Sequence, residues 1–401
     1  MKSSTGEHYP ALDHIRGLAA FLVFTWHFLH ESPQGPVPYG FVPALPIFSF
    51  LDEGHTGVSL FMALSGYLFA KLLDGKQINY LPFFANRALR LLPLLLAVIC
   101  IEACRRYWAG QSLEEYFTGV GKGVLLPTLS NGGWSITVEA HFYLLLPFLL
   151  MASRRFVFAP LLFIAAAIVL RSVLYVQIGE MQSAASLTII GHVDQFLAGI
   201  LAFHLRAHAK NRHWLALAVL IAFSGFFWWF DAAGGFYQLG RYPSPHWIWI
   251  ILPTLEAAAY SFGIAYYDTS FSRKRTGLPF KILEKAGAYS YSIYLLHLFF
   301  IMQLAAFIDA NVMSISNFYV ACLWSALCFL ATIPIGYLSY TCIEAPFLRL
   351  RLRYVDDKPE TAEPIVSGIR SVVAIADTPN IVHPSLSQTS ISPGSRLSQA
   401  K

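Results

Sequence analysis

Ten apolar runs, each long enough to cross a lipid bilayer or nearly so, occupy most of this chain: 15–31, 54–73, 88–108, 135–152, 156–177, 186–205, 214–231, 247–267, 286–308 and 319–343. Hydrocarbon offers no partner to backbone polar groups, so each spanning segment must form a helix. Only 13% of the residues are charged and 56% are hydrophobic, whereas a soluble domain carries about 25% charged residues. We therefore predict an all-α, multipass integral membrane protein with about ten transmembrane helices.

The distribution of lysine and arginine among the loops predicts the orientation of the chain. One set of alternate loops holds most of them: Lys71, Lys76, Arg87, Arg90, Arg154, Arg155, Arg206, Lys210, Arg212, Arg273, Lys274, Arg275, Lys281, Lys285, Arg349, Arg351 and Arg353. The opposite loops hold Arg105, Arg106, Lys122 and Arg241. Because basic residues are enriched in cytoplasmic loops, we predict that both termini are cytoplasmic.

Composition also predicts the domain organisation and excludes several partners. Residues 1–353 form the predicted transmembrane domain, and residues 354–401, which lack sustained apolar periodicity, form a predicted disordered cytoplasmic tail. The net charge of +5 comes from basic residues in loops, so no nucleic-acid partner is expected. The five cysteines lie in apolar runs without CxxC spacing, so we predict neither disulfides nor a metal site. The N-terminal residues indicate no cleavable signal peptide.

The first apolar run combines charge and a histidine with a helix-length hydrophobic segment, LDHIRGLAAFLVFTWHFLH at 12–30. Arg16 and His27 are eleven residues apart, which is about 16 Å along a helix. Alone, Arg16 is more typical of an anchor at the cytoplasmic surface, and Asp13 either pairs with it or complements the helix dipole. His27 is predicted in the outer half of the membrane, where its imidazole can exchange a proton near neutral pH.

Other ionisable residues lie in or beside apolar runs, where they are costly and therefore mark candidate sites. Arg87 and Arg90 are three residues apart, which fits either a topology signal or a clamp for an anion. Glu139 and His141 follow the helix-breaking Asn-Gly-Gly segment at 131–133. Glu139 is predicted at the same depth as His27. The two side chains are therefore candidates for a general-base pair, in which one orients the other.

Two further runs carry polar residues that suit either interhelical hydrogen bonds or chemistry. One contains His192 and Asp194, and the other contains Tyr294 and His297, three residues apart on one helix face. The sequence does not decide between the two roles.

Seven segments, taken in order, resemble the acyltransferase-3 family of multipass membrane acyltransferases. They are LDHIRGLAAFLVFTWH (12–27), GVSLFMALSGYLFA (57–70), FFANRALRLLPLL (83–95), NGGWSITVEAHFYLLLP (131–147), HVDQFLAGILA (192–202), YSYSIYLLH (289–297) and IEAPFLRLR (343–351). The resemblance implies an enzyme of the cell membrane, the inner membrane if the source is bacterial. It would move an acyl group, usually acetyl, from cytoplasmic acyl-CoA to a hydroxyl of a carbohydrate such as an exopolysaccharide, lipopolysaccharide or glycolipid precursor. Acyl-CoA would be a co-substrate, with no permanently bound cofactor.

The resemblance also assigns roles to residues. His27 matches the proposed catalytic base, and Arg16, Arg87 and Arg90 match arginines that assist with CoA. Glu139 lies in a block that often reads VEE in relatives, but Ala140 occupies the second position here, so which position carries the carboxylate stays open. Donors to a tetrahedral oxyanion remain to be chosen among Trp134, Ser135 and Tyr294.

Two alternatives remain at this stage. In the first, the acceptor is a small hydroxylated metabolite such as a macrolide. Alternatively, the intramembrane histidine, glutamate and aspartate side chains would form the proton relay of a secondary transporter. The lipid bilayer is a partner in every case, and the oligomeric state is open.

Overall fold

The computed structural model describes residues 8–30, 35–237, 241–271 and 277–356, and their architecture is α-helical. The helices are α1 (Pro10–His30), α2 (Ser49–Asp52), α3 (Gly57–Leu73), α4 (Tyr80–Trp108), α5 (Leu113–Lys122), α6 (Trp134–Arg155), α7 (Ala159–Ile178), α8 (Gln182–Leu187), α9 (Ile189–His204), α10 (Arg206–Ala209), α11 (His213–Ala232), α12 (Leu252–Ser270), α13 (Leu278–Ala288), α14 (Ser290–Leu296), α15 (Ile301–Asn311), α16 (Phe318–Ser339) and α17 (Ala345–Leu348). Short 3₁₀ turns are Pro46–Phe48, Gly54–Thr56, Trp247–Ile250 and His297–Phe299, and Tyr340–Glu344 is a π-helical turn joining α16 to α17. The all-α class is thereby confirmed.

Each predicted apolar run coincides with a helix, but fewer than ten are long and apolar enough to span a membrane. Within the described ranges, six continuous segments meet that standard: Gly54–Leu73, Tyr80–Trp108, Trp134–Arg155, Ala159–Ile178, His213–Ala232 and Phe318–Leu348. A seventh span forms if Ser290–Phe299 and Ile301–Asn311, which meet at 60°, are counted together. The chain is therefore a multipass membrane protein.

The three remaining runs form helices that are shorter or more polar. Helix α9 has 16 residues, fewer than the roughly 20 that a perpendicular span needs. Helices α1 and α12 have 21 and 19 residues, and ionisable side chains such as Asp13 and Glu256 lower their apolar character. Ten spans and cytoplasmic termini thus remain predictions.

Burial separates a central group of helices from a peripheral one. The apolar window of Gly54–Leu73 is 78% buried, whereas that of Ala159–Ile178 is only 17% buried. Side chains such as Leu162 and Val176 therefore point outward from the protein. A helix that exposes an apolar surface of this extent suits a lipid environment.

The central helices α3 and α9 approach closely at two glycines. A Cβ atom on Gly66 would overlap the carbonyl oxygen of Phe196, and one on Gly199 would overlap that of Ala63. Small residues allow such backbone contact between membrane helices.

A fully buried ion pair joins three helices. Arg171 of α7 and Asp194 of α9 are both 0% exposed, and Arg171 Nη2 donates to Asp194 Oδ2 at 2.7 Å. Arg171 also donates to the carbonyls of Ile190 and Ile250 and, at 2.9 Å, to Thr254 Oγ1 on α12. Asp194, a candidate site residue in the sequence, therefore pairs with an arginine in the helix core.

The segment after α17 folds back onto the start of α4. β1 (Gln77–Ile78) pairs antiparallel with β2 (Val355–Asp356). Asn86 Nδ2 donates to the carbonyl of Leu352 at 2.6 Å, and the Leu352 amide donates to Asn86 Oδ1 at 2.9 Å. The first residues of the predicted tail are thus paired with the helical domain, and the rest of the tail prediction lies outside the described residues.

Candidate active site

A cavity of about 400 Å³ lies where α1, α12 and α14 meet the turn that precedes α6. Among the described residues, seven aromatic side chains line it: Trp26, Trp134, Phe236, Tyr237, Tyr242, Trp249 and Tyr294. Its polar lining includes His27, His55, His192, His297 and Glu256. An apolar cavity with a few convergent polar groups is the usual form of a small-molecule site.

Two histidines from different helices meet at this cavity. His297 Nε2 lies 3.2 Å from His27 Nδ1. His27 Nδ1 is also 2.8 Å from the carbonyl of Val23, and His297 Nδ1 is 2.6 Å from the carbonyl of Tyr294. Because carbonyl oxygens only accept hydrogen bonds, we assign a proton to both Nδ1 atoms. His27 Nδ1–H is then shared between the Val23 carbonyl and His297 Nε2, and the lone pair of neutral His27 is on Nε2.

The chain breaks its helical path at this histidine pair. Helix α14 ends at Leu296, His297–Phe299 form a 3₁₀ turn, and α15 continues at an angle of 60°. His297 is 2% exposed. The break therefore presents a buried imidazole to the cavity from a point where the helix changes direction.

The turn before α6 is held by two hydroxyl groups. Asn131 and Gly132 have positive φ angles of 52° and 72°, which end the preceding segment. The Tyr294 hydroxyl donates to the Gly132 carbonyl at 3.2 Å, and Ser135 Oγ donates to the same oxygen at 2.9 Å. Two of the three predicted oxyanion donors thus position the turn. The third, Trp134, lines the cavity with its ring stacked on His192 at 5.7 Å.

A buried carboxylate forms another part of the cavity wall. Glu256 is 4% exposed and accepts hydrogen bonds from Thr56 Oγ1 at 2.6 Å and Ser59 Oγ at 2.7 Å. The Tyr260 hydroxyl lies 2.8 Å from Thr56 Oγ1 and extends the chain of hydrogen bonds. Both carboxyl oxygens of Glu256 therefore accept hydrogen bonds from hydroxyl groups.

A second polar region, the arginine cluster, consists of Arg87, Arg90 and Arg351. Burial and the neighbouring Arg90 and Arg87 charges lower the pKa of Arg351 to about 10, so it stays charged at neutral pH. The Nε atoms of Arg87 and Arg351 are buried without a hydrogen-bond partner in the described part of the chain. Glu344 lies 3.8 Å from Arg90 Nη1. Grouped guanidinium ions with unused donors form a suitable site for a phosphate-bearing ligand.

Glu139 does not meet His27 at the cavity. Its carboxylate accepts a hydrogen bond from the Tyr143 hydroxyl, one turn further along α6. The Tyr143 ring centroid is 6.0 Å from the guanidinium carbon of Arg87. Glu139 and His141 are not among the described residues that line the cavity. The structure places Glu139 toward the arginine cluster, and its catalytic role stays a prediction.

Arg16 lies at the other end of α1 from His27. It forms an ion pair with Asp13, which is buried. His8 Nε2 lies 3.0 Å from Asp13 Oδ2 and 3.5 Å from Glu284. The predicted pairing of Asp13 with Arg16 is therefore present, and this charged group marks the N-terminal end of the helix whose C-terminal part carries His27.

Helix α14 connects the arginine cluster to the cavity. The Tyr291 ring centroid is 5.9 Å from the guanidinium carbon of Arg90. His297 follows six residues later, which corresponds to about 9 Å along a helix. A group held beside the histidines would thus lie about 9 Å along α14 from the residue that contacts Arg90.

The sequence matches a protein-family model. That family model, which describes an acyltransferase domain, covers residues 9–341. The chain belongs to the acyltransferase-3 family. No curated protein and no solved structure matched this acyltransferase.

Sequence reasoning missed two residues of this acyltransferase that the structure singles out. Glu256 is a lone carboxylate within an apolar run, which was a sufficient signal for a candidate site. Arg351 was counted only as a basic loop residue, and no sequence pattern relates it to Arg87 across more than 260 positions.

Proposed function

We propose that this membrane acyltransferase moves an acetyl group from cytoplasmic acetyl-CoA to a hydroxyl of a carbohydrate acceptor. The observation that carries the proposal is the His27–His297 pair at an aromatic-lined cavity, separated along α14 from the arginine cluster. In the predicted orientation, the cluster faces the cytoplasm and the cavity faces outward. The enzyme would act in the cell membrane, which is the inner membrane if the source is bacterial.

At the donor end, the arginine cluster supports binding of the CoA phosphates. Guanidinium groups form bidentate, charge-assisted hydrogen bonds with phosphate oxygens. The unpartnered Nε atoms of Arg87 and Arg351 supply donors for such bonds. A bound polyanion also offsets the repulsion among the three arginines, so the donor and the cluster stabilise each other.

At the reacting end, His27 is the proposed general base. Its Nε2 lone pair accepts the proton of the acceptor hydroxyl while that oxygen attacks the thioester carbonyl. The carbon–sulfur bond then breaks, the acetyl group remains on the acceptor oxygen, and the CoA sulfur leaves and takes up the proton. A sugar hydroxyl is a weak nucleophile at neutral pH, so the reaction needs this base.

His297 is the proposed positioning residue for that base. Its Nε2 shares His27 Nδ1–H with the Val23 carbonyl, which keeps the His27 lone pair on the opposite ring nitrogen. This bond strengthens when His27 gains a proton, because a charged donor forms a stronger hydrogen bond. The carbonyl of Tyr294 fixes the His297 tautomer in turn.

Acetyl-CoA turnover without an ion gradient tests the proposed function. Purified protein in detergent should consume labelled acetyl-CoA and place the label on an added carbohydrate fraction. A transporter would instead move solute across vesicles only under a gradient and would leave the thioester intact. Gradient-dependent flux with no thioester cleavage contradicts the proposal.

Replacing Arg87 or Arg351 by glutamine should weaken acetyl-CoA binding by about ten- to a hundredfold. The reason is the loss of one charge-assisted hydrogen bond, about 1.5–3 kcal/mol. Isothermal titration calorimetry of purified variants measures this change. Arg212→Gln, at an exposed residue in a loop, is the matched control and should bind as the wild type does. Unchanged affinity in R87Q and R351Q would reduce these arginines to topology signals.

A further inference from the structure

We propose that the cavity binds an uncharged, polyhydroxylated ring of the acceptor, with one ring hydroxyl donating a hydrogen bond to Glu256. This inference rests on the proposed function and specifies its acceptor. The sequence alone left the acceptor class open. The lining of the cavity supplies three separate arguments for this class.

The walls of the cavity are largely aromatic. Trp26 and Tyr237 lie nearly parallel, at 7° with their centroids 5.8 Å apart, and Trp134 and Trp249 contribute further indole surface. Flat aromatic faces pack well against the C–H faces of saturated rings, whose hydroxyls point toward the rim. A volume of about 400 Å³ is near the lower end of small-molecule sites, about 300–1,000 Å³. The cavity therefore suits one terminal ring group.

The charged side chains of the cavity lining favour an uncharged acceptor group. Among the described residues that line the cavity, Glu256 is the sole carboxylate, and no lysine or arginine is present. His27 and His297 share a hydrogen bond that needs one unprotonated nitrogen. His55 Nε2 is 3.0 Å from Glu53, which offsets any charge that His55 gains. His192 Nδ1 is engaged with Gln195, 2.7 Å from its Oε1.

An anionic group in the cavity would be buried without a lysine or arginine beside it among the described lining residues, where the surroundings screen charge poorly. A uronate or a phosphorylated sugar would place its negative charge in the same cavity as Glu256. A neutral ring adds no charge, and its hydroxyl can donate to the carboxylate. The acceptor is therefore uncharged where it enters the cavity.

The cavity lining contains both hydrogen-bond donors and a hydrogen-bond acceptor. Asn131 and Trp249 line the cavity, and Asn131 Nδ2 and Trp249 Nε1 are buried without a hydrogen-bond partner among the described residues. Both are donors, whereas Glu256 is an acceptor. A hydroxyl group donates and accepts at once. Several hydroxyls on one ring can thus satisfy all three side chains, which an ester, an ether or an alkyl chain cannot do.

Two glycosides that differ at one carbon test the proposal without any mutation. Methyl β-glucopyranoside is neutral, and methyl β-glucuronide carries a carboxylate on the same ring. With purified wild-type protein and labelled acetyl-CoA, we expect kcat/KM for the neutral glycoside to exceed that for the glucuronide by about tenfold or more. Methyl glucosaminide, with an ammonium group, probes the opposite charge.

The variant Glu256→Gln keeps the volume of the side chain and one acceptor oxygen, and it removes the ionisable group. We expect it to raise KM for the neutral glycoside about tenfold and to narrow the ratio between the two glycosides, with KM for acetyl-CoA unchanged. Glu114→Gln, at an exposed residue of α5, is the matched control and should behave as the wild type does.

The possible outcomes test the proposed acceptor and the proposed function separately. Equal acetylation of the glucuronide and the glucoside, or a preference for the glucosaminide, overturns the proposal. So does acetyl-CoA cleavage that no glycoside stimulates, although the acyltransferase activity then stands. If acetyl-CoA is not consumed under any condition, the proposed function itself is contradicted.

Discussion

Replacing His27 by alanine should lower the rate of acyl transfer by about 10²–10⁴-fold, the range expected for loss of a general base. The fold should persist, because His27 is only partly buried and its hydrogen bonds go to Val23 and His297, both within the cavity wall. Acetyl-CoA affinity should persist as well, since the arginine cluster contacts α14 at Tyr291, about 9 Å along the helix from His297. The measurement is single-turnover transfer of labelled acetyl by purified protein.

Two further variants separate chemistry from packing. His297→Gln should lower kcat by a smaller factor and change the pH dependence of kcat, while KM for the acceptor stays nearly constant, because a positioning residue acts through His27. His208→Ala, at an exposed residue of α10, is the control for general damage by histidine replacement. Retained turnover in H27A would remove His27 from the chemistry, and an acceptor KM that rises in H297Q would make His297 a binding residue instead.

The second large effect concerns stability. Removing one partner of the Arg171–Asp194 pair should destabilise the protein by about 3–5 kcal/mol, because a charge is left buried and unpaired. Both side chains are 0% exposed, and Arg171 also holds Ile190, Ile250 and Thr254. Thermal unfolding in detergent should therefore show a large fall in the midpoint for Asp194→Leu and for Arg171→Met.

A double-mutant cycle distinguishes this structural role from a role in the reaction. The combined variant R171M/D194L should recover much of the lost stability, since two apolar side chains replace the ion pair without leaving a charge. Arg105→Gln is the control, because Arg105 is 56% exposed in its pair with Glu102 and exposed pairs contribute at most about 1 kcal/mol. A D194L protein that unfolds normally but does not turn over would return Asp194 to the candidate catalytic residues.

The helices could be predicted from the sequence because hydrocarbon permits few alternatives. Which helices span the membrane was harder to predict. Helix α1 contains polar residues and α9 is short, so composition alone does not mark either helix as a span. A helix that packs against neighbouring helices of the same chain does not need a long, fully apolar surface. Length and hydropathy report exposure to lipid better than they report position in the bundle.

The site was predictable residue by residue, but its contacts were not. His27 and His297 lie on helices 270 positions apart, and no pattern in either segment indicates that they meet. Glu139 shows why depth alone misled: it follows Trp134 by five residues, which turns the side chain by about 140° around α6. Trp134 therefore lines the cavity while Glu139 contacts Tyr143. Sequence gives depth along a helix, and packing selects the face.

Helix α14 has a consequence for the position of the thioester. It is a seven-residue rod, with its first turn beside Arg90 through Tyr291 and its end at the histidine pair. A hydrogen-bonded helix changes length very little, so the separation between the phosphate anchor and the histidine pair would be nearly constant. The carbonyl carbon adjoins the CoA sulfur whatever acyl chain it carries. The helix would then set where that carbonyl meets His27, and the walls beyond it would select the length of the acyl chain.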